Sequence, residues 1–266
     1  MYFLIILGIL FLLLLFLIFP SPRRHKDREI LKGLQIAHRG LHNLFKDTPE
    51  SSLAAIKRAV DLGFAVEIDI HITADGEVIA FHDSETERMC GVSGNIEDMT
   101  LEEIKKLRLV DTDESIPTLK ECLELINGRV PIMIELKCGY TLNFRLCRAA
   151  DKILKNYQGK YFIQSFFPHA LLWYRIHRPD ICRGQLSSGN VGHEIYKKML
   201  GWLIFDFLSR PDFISYEHEY AKKPMRKLVT KLGAFPVGWT FHSQEEINLG
   251  KNDFQTFIFE NFIPDK

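Results

Sequence analysis

The chain has 266 residues, 46% of them hydrophobic, and its 34 Lys and Arg balance 34 Asp and Glu to a formal charge of zero. Nothing in that balance points to nucleic acid, and the length suits one large α/β domain beside a short appendage. Five cysteines (Cys90, Cys122, Cys138, Cys147 and Cys182) form no CxxC and cannot all pair, which argues against a disulfide scaffold and for thiols in a reducing compartment.

Residues 2–19, Tyr2 to Phe19, are uninterrupted apolar sequence, long enough to cross a hydrocarbon core as a helix. The stretch lacks the basic leader and small-residue cleavage site of an exported signal peptide. Pro20, Pro22, Arg23, Arg24, Lys26 and Arg28 follow at once, and a basic flank stays on the cytoplasmic side. The expectation is a single-pass transmembrane anchor at 1–20, a basic juxtamembrane linker at 21–33, and a cytoplasmic catalytic domain at 34–266. A signal peptide that is later removed is the alternative.

Strand-like runs then occur near 34–38, 65–72, 78–82, 130–136, 161–166, 181–186, 212–217, 235–240 and 255–260. Helical patterns fall between them at 49–62, 100–107, 118–126, 141–157, 168–177, 191–208, 222–232 and 243–249. Repeated βα units imply a parallel sheet, and this many favour a TIM (β/α)8 barrel over an open sheet. Only residues 73–77 separate the second and third runs, too few for a parallel crossover. These two should form an antiparallel hairpin, with Asp75-Gly76 as a type I′ turn. A two-residue loop would set Asp69 opposite His82, with Glu67 on the same face by the two-residue period. Asp-Gly loops also come in longer forms, so the register stays open.

Four of the apolar runs carry ionisable residues: Ile36 to Gly40 (Ile-Ala-His-Arg-Gly), Val66 to Ile70 (Val-Glu-Ile-Asp-Ile), Phe81 to Asp83 (Phe-His-Asp) and Met133 to Lys137 (Met-Ile-Glu-Leu-Lys). Carboxylates, imidazoles and cations are costly to bury together unless they neutralise one another or hold a metal. Their convergence suggests a divalent metal, two histidines for proton transfer, and cations for a phosphate.

At these residues the chain resembles the glycerophosphodiester phosphodiesterase family. The resemblance runs from Leu34 to the C-terminus, through His38-Arg39-Gly40, Thr48 to Ser52, Glu67-Ile-Asp69, Asp75-Gly76, His82-Asp83 and Glu135-Leu-Lys137. It implies a metal-dependent TIM barrel that cleaves glycerophosphodiesters to glycerol 3-phosphate and an alcohol. It further implies Glu67, Asp69 and Glu135 as ligands of Mg²⁺ or Ca²⁺, His38 and His82 as the acid–base pair, and Arg39 and Lys137 as phosphate-binding cations. Family chemistry is in-line attack by the glycerol 2-hydroxyl, giving a cyclic phosphodiester that water opens. Glu50 matches a polar position near the site, as a ligand or a partner of the ligands, and Trp239 is either core packing or substrate wall. The usual Pro-Glu-Asn-Thr is here Pro49-Glu-Ser-Ser52, and the usual C-terminal Thr-Asp/Asn-Pro survives only loosely as Glu260 to Pro264.

The other six histidines considered (His42, His71, His169, His177, His218 and His242) lack such context and are expected at the surface or behind the site. Residues 199–208, Met199 to Leu208, are apolar nearly all round, either a helix buried on the barrel or an apolar lip that admits a lipid-derived substrate. Such a lip would favour a lysophospholipase D acting on lysophospholipids. A catalytically silent membrane-anchored phosphate-binding barrel is the rival of another class, and it has no need of both histidines. The expected partners are a small-molecule glycerophosphodiester or lysophospholipid and a membrane, with no nucleic acid.

Overall fold

The structure, a computed structural model, describes all residues except 24, 44–47, 191, 193 and 266. Arg24 of the basic flank and positions 191 and 193 of the expected helix 191–208 therefore lie outside the described residues. The chain opens with α1 (Tyr2–Ile18) and α2 (Arg28–Leu31), then β1 (Gln35–Ala37), α3 (Leu53–Asp61), β2 (Ala65–Ile72) and β3 (Val78–Ala80). An excursion with α4 (Glu87–Cys90) and α5 (Leu101–Lys105) leads to α6 (Leu119–Ile126), β4 (Ile132–Leu136), α7 (Arg145–Leu154) and β5 (Tyr161–Ser165). Next come α8 (Pro168–His177), β6 (Arg183–Ser187), α9 (Ile195–Gly201), α10 (Asp206–Ser209) and β7 (Phe213–Glu217). The chain ends through α11 (Pro224–Lys231), β8 (Phe235–Phe241), α12 (Gln244–Gly250) and β9 (Thr256–Phe259). Hydroxyls start several helices: the Ser52 side chain accepts from the Ala55 N–H, while Thr100 and Thr118 form capping boxes with Glu103 and Glu121.

The strand order is β1-β9-β8-β7-β6-β5-β4-β2-β3, and β1 also pairs with β2. Eight parallel strands thus close a TIM barrel, with β3 added as an antiparallel flap on β2. The register of that hairpin is Ile70↔Ala80, His71↔Ile79 and Ile72↔Val78. It is one residue away from the pairing that a two-residue Asp-Gly loop would give. The loop closes between Thr73 and Glu77 instead, where the Thr73 N–H donates to the Glu77 carbonyl at 2.9 Å. Asp69 therefore lies opposite Phe81, whose N–H donates to the Asp69 carbonyl at 3.0 Å, and not opposite His82. His82 follows the end of β3 and reaches the barrel mouth by leaving the ladder.

β2 and β4 alternate strictly. Val66, Ile68, Ile70 and Ile72 of β2, with Ile132, Ile134 and Leu136 of β4, join the outer core beneath the helices. The inward residues at the strand starts (Ile36, Ala65, Met133, Phe162, Phe213, Phe235 and Ile258) form a separate apolar floor. Leu31 of α2 is fully buried in that floor, and its carbonyl accepts the Thr256 hydroxyl. Two residues further along the same inward rows stand His38, Glu67, Glu135 and Gln164. In β1, β2, β4 and β5 the inward row thus changes from apolar to polar two residues beyond the floor, which builds a floor below and a polar chamber above.

The expected transmembrane span is not met. No helix among the described residues is long and apolar enough to cross a membrane. The 17 residues of α1 end at Ile18 because Phe19, before Pro20, is extended at φ −68° and ψ 124°. At ~1.5 Å per residue the helix rises roughly 25 Å, against a hydrocarbon core of about 30 Å. Its last turn is held firmly: Arg210 Nη1 donates to the Phe16 and Phe19 carbonyls at 2.9 and 2.7 Å, and its guanidinium sits 4.9 Å from the Phe16 ring centroid. The expected single helix near 191–208 is two short ones. Leu203 is buried while Trp202 is 55% exposed, so the stretch mostly packs on the barrel wall.

Gly40 has φ +81°, and a Cβ there would lie 2.7 Å from the Ala55 carbonyl carbon and 2.8 Å from the Ile56 nitrogen. Both obstacles are backbone at the start of α3. Gly40→Ala should cost about 2–4 kcal/mol, through left-handed strain and displacement of that helix, and should lower the melting temperature by several degrees in thermal denaturation. An unchanged melting temperature would show that α3 has room to shift.

Candidate active site

The register of β2 and β4 sets Asp69 beside Glu135, and the two-residue period puts Glu67 on the same inward row. All three side chains are buried, and one oxygen from each lies within 4.8 Å of the others. Lys137, at the end of β4, places Nζ 3.0 Å from Asp69 Oδ1 and 2.6 Å from Glu135 Oε1. Arg39 approaches from β1, with its backbone N–H on Glu67 Oε2 at 3.2 Å, Nε 3.4 Å from Asp69 Oδ2, and Nη1 3.0 Å from Glu50 Oε1. Arg39 takes the left-handed conformation at φ +54°, a strained state for a residue with a Cβ. Those contacts, and the Ser51 N–H on its carbonyl at 3.0 Å, hold it there.

Each imidazole named by the sequence is gripped by a carboxylate. His38 Nδ1 lies 2.6 Å from Glu260 Oε2, and His82 Nδ1 lies 2.6 Å from Asp83 Oδ1. Asp83 is fixed in turn by Arg88 Nε at 2.6 Å, and Arg88 Nη2 reaches Glu50 Oε1, also at 2.6 Å. Glu50 thus joins Arg39 to Arg88, and the network runs unbroken from Asp69 to His82. Behind it, His71 Nε2 donates to the His82 carbonyl at 3.1 Å. His38, Arg39, Glu67, His82, Glu135, Lys137 and Trp239 all line one central cavity of about 80 Å³.

Burial, then the neighbouring Asp69 and Glu135, raise the Glu67 carboxyl well above the usual range. Burial pushes Glu135 up to about 7 against the pull of Lys137. Burial acts the same way on Asp69, yet Lys137, His82 and Arg39 outweigh it and hold Asp69 below the usual range. Burial lowers both His38 and His82, against the opposing effects of Glu260 and Asp69 respectively. Burial also opposes ionisation of Asp83, but Arg88 and His82 bring it down to about 2.

The three buried carboxylates face two cations, Arg39 and Lys137, and Glu67 Oε1 has no hydrogen-bond partner among the described residues. A buried oxygen without a partner and an unmatched negative charge fit a divalent cation that prefers oxygen ligands. Glu67, Asp69 and Glu135 would hold it.

The sequence reading missed several of these side chains. Glu260 stands at the C-terminal end of the last barrel strand, where a charged residue commonly serves the site. His71 is not among them: it was expected behind the site or at the surface, and it is buried behind the site, two residues along the Glu67–Asp69 row. His42 is also buried, with Nε2 3.6 Å from Glu260 Oε2. Arg88 sits in the excursion after β3 and carried no local signal.

Because burial raises Glu67 and brings Glu135 to about 7, protons compete with a cation for both, so affinity should fall as pH drops through about 7. Thermal melts with Ca²⁺ or Mg²⁺ should show stabilisation at pH 8 that shrinks by pH 6 and vanishes in Glu135→Gln. Equal stabilisation of the Glu135→Gln protein would place the cation elsewhere.

The family model of the glycerophosphoryl diester phosphodiesterase family matches residues 38–250. A glycerophosphodiester phosphodiesterase from Caldanaerobacter subterraneus is 37% identical over 53% of this chain and 61% of its own length. Glycerophosphodiester phosphodiesterase 1 from Bos taurus is 30% identical, covering 97% of this chain and 86% of its own. An Oleispira antarctica phosphodiesterase, solved in complex with sn-glycerol-3-phosphate, superposes with a TM-score of 0.72 at 23% identity, over 87% of this chain and 94% of that one. The family match spans most of the barrel and includes the carboxylates, both gripped imidazoles and the two cations: the chain belongs to the glycerophosphoryl diester phosphodiesterase family.

Proposed function

We propose that the protein hydrolyses glycerophosphodiesters to glycerol 3-phosphate and an alcohol, with Mg²⁺ or Ca²⁺ held by Glu67, Asp69 and Glu135. The observation that carries this reading is the convergence of two carboxylate-gripped imidazoles with two cations and three buried carboxylates in one small cavity. A bound divalent cation supplies Lewis acidity toward a phosphoryl oxygen. Arg39 and Lys137 neutralise the remaining phosphate charge. With Nδ1 held by a carboxylate, each ring presents Nε2 to the substrate. One imidazole takes the proton of the glycerol 2-hydroxyl as its oxygen bonds to phosphorus. The other gives a proton to the alcohol oxygen as its bond to phosphorus breaks, and water opens the cyclic phosphodiester by the reverse transfers.

A second reading, lysophospholipase D activity, is favoured by a specific feature. An apolar cavity of about 630 Å³ opens beside Glu135 and Lys137, walled by Tyr140, Phe166, Phe167, Leu200 and Trp239. It offers an acyl chain a place next to the phosphate site. A lysophospholipase D from Rattus norvegicus is 25% identical over 82% of this chain and 69% of its own length. We propose further that residues 1–20 seat in a lipid bilayer, with the basic residues after α1 at its cytoplasmic face and the barrel at 34–266 in the cytoplasm. The support is the absence of any charge in α1 and the exposure of its apolar side chains, such as Phe3 at 70% and Leu12 at 66%.

His38→Ala and His82→Ala should each lower kcat on glycerophosphocholine by on the order of 10²–10⁴ without loss of fold, because each removes a proton-transfer group. EDTA should abolish turnover, and Mg²⁺ or Ca²⁺ should restore it. Activity retained after either treatment would refute the mechanism, and a folded, cation-binding protein with no turnover would favour the silent barrel.

Leu200→Ser with Phe167→Ser should lower kcat/KM for a lysophospholipid roughly tenfold and spare glycerophosphocholine, which has no tail to bury. Equal loss on both substrates would deny the cavity an acyl-binding role.

A further inference from the structure

Trp239 divides the mouth of the barrel. On one side lies the apolar cavity, and on the other a polar cavity of about 360 Å³ bordered by His38, Arg39 and His42. The central cavity shares Glu135, Lys137 and Phe166 with the first, and His38 and Arg39 with the second. A phosphodiester centred on the carboxylates therefore has one ester arm on each side of the indole.

The polar side carries an excess of negative charge. Glu50, Glu219, Glu260 and Glu217, which also borders the apolar cavity, line it against a single lysine or arginine among the described residues, Arg39. Arg39 and Arg88 already pair with Glu50. The ion pairs of Glu260 among the described residues are with imidazoles, those of His38, His42 and His242. Glu217 accepts the Ser188 hydroxyl, and neither it nor the exposed Glu219 has a Lys or Arg ion pair among the described residues. A buried acceptor is also open there. His42 is 3% exposed, and neither ring nitrogen has a hydrogen-bond partner among the described residues. Buried polar atoms are ordinarily paired, and an imidazole nitrogen can accept from an ammonium N–H. Trp239 adds an aromatic wall, which attracts cations through the negative face of its ring.

We propose that this polar cavity is the head-group subsite, and that it selects alcohols bearing an ammonium group. The inference rests on the phosphodiesterase reading above and names the substrate class for which that site is built. The released alcohol is an amino alcohol, and its ammonium lies between Glu217, Glu219 and His42, with the ester oxygen near His38. An anionic head group would meet the same carboxylates as repulsion.

The test uses the full chain loaded with Mg²⁺ or Ca²⁺ and compares kcat/KM for glycerophosphoethanolamine, glycerophosphocholine and glycerophosphoglycerol. The wild type should prefer the two cationic substrates. Glu219→Gln should narrow that preference several-fold, and Glu217→Gln with Glu219→Gln should narrow it about tenfold. Glu219 is exposed, so its single variant separates recognition from folding even if the double variant is destabilised. A preference unchanged in both variants, or a wild type that treats all three substrates alike, would overturn the subsite and leave the phosphodiesterase reading intact. No turnover of any of the three by folded, metal-loaded protein would overturn both.

Discussion

Three carboxylates in the inner row of a closed barrel cannot stay ionised unless positive charge is brought to them. The rest of the site is organised by that demand. Lys137 comes from two residues beyond Glu135 on the same strand and touches both Asp69 and Glu135. Arg39 takes a strained backbone to bring its amide to Glu67 and its guanidinium between Asp69 and Glu50. Gly40 then has to pass against the first turn of α3, where no side chain fits. The His-Arg-Gly sequence is therefore one mechanical unit, in which each residue's shape answers to the carboxylates opposite.

The same electrostatic logic extends outward in two arms. Arg88 joins Glu50 to Asp83 and so fixes the ring of His82, while Glu260 fixes His38 from the opposite edge of the barrel. The two imidazoles are held from outside the cavity, which leaves the far side of each ring free to face a reacting group. Trp239 then sorts the space above them into an apolar and an acidic half. The chemistry is symmetric about the phosphate, and the walls are not.

Much of this was legible in the sequence, because a parallel strand buried on both faces leaves a distinctive record. In β2 the alternation of Val66, Ile68 and Ile70 with Glu67 and Asp69 gave both the strand and the shared face of the two carboxylates, β4 repeated it with Glu135, and the ligand role came from the family resemblance alone. Loop length was less legible. Asp75-Gly76 marks a turn in loops of several lengths, and a single residue of difference moved the partner of Asp69 from His82 to Phe81. Glu260 and Arg88 were not recoverable from pattern alone, since their roles depend on which distant strand end or excursion folds over the site. His42 was assigned no role because an isolated histidine has no periodic signature, whereas His71 continues the Glu67–Asp69 row and stands behind the site, one of the two places expected for it. The N-terminal helix was legible as apolar, but its end was set by Pro20 acting on Phe19, which brought it short of a span.

The closed floor has a consequence of its own. Leu31 and the ring of apolar residues around Ile36, Phe162 and Phe213 stop the barrel from below, and the Thr256 hydroxyl on the Leu31 carbonyl fastens that stopper in place. The chamber above is a room with one door. Whatever enters must turn around and leave by the way it came, so arrivals and departures share the same threshold and cannot pass through in single file. The arrangement makes traffic at the mouth, and not passage through the molecule, the thing that the loops above the strands control.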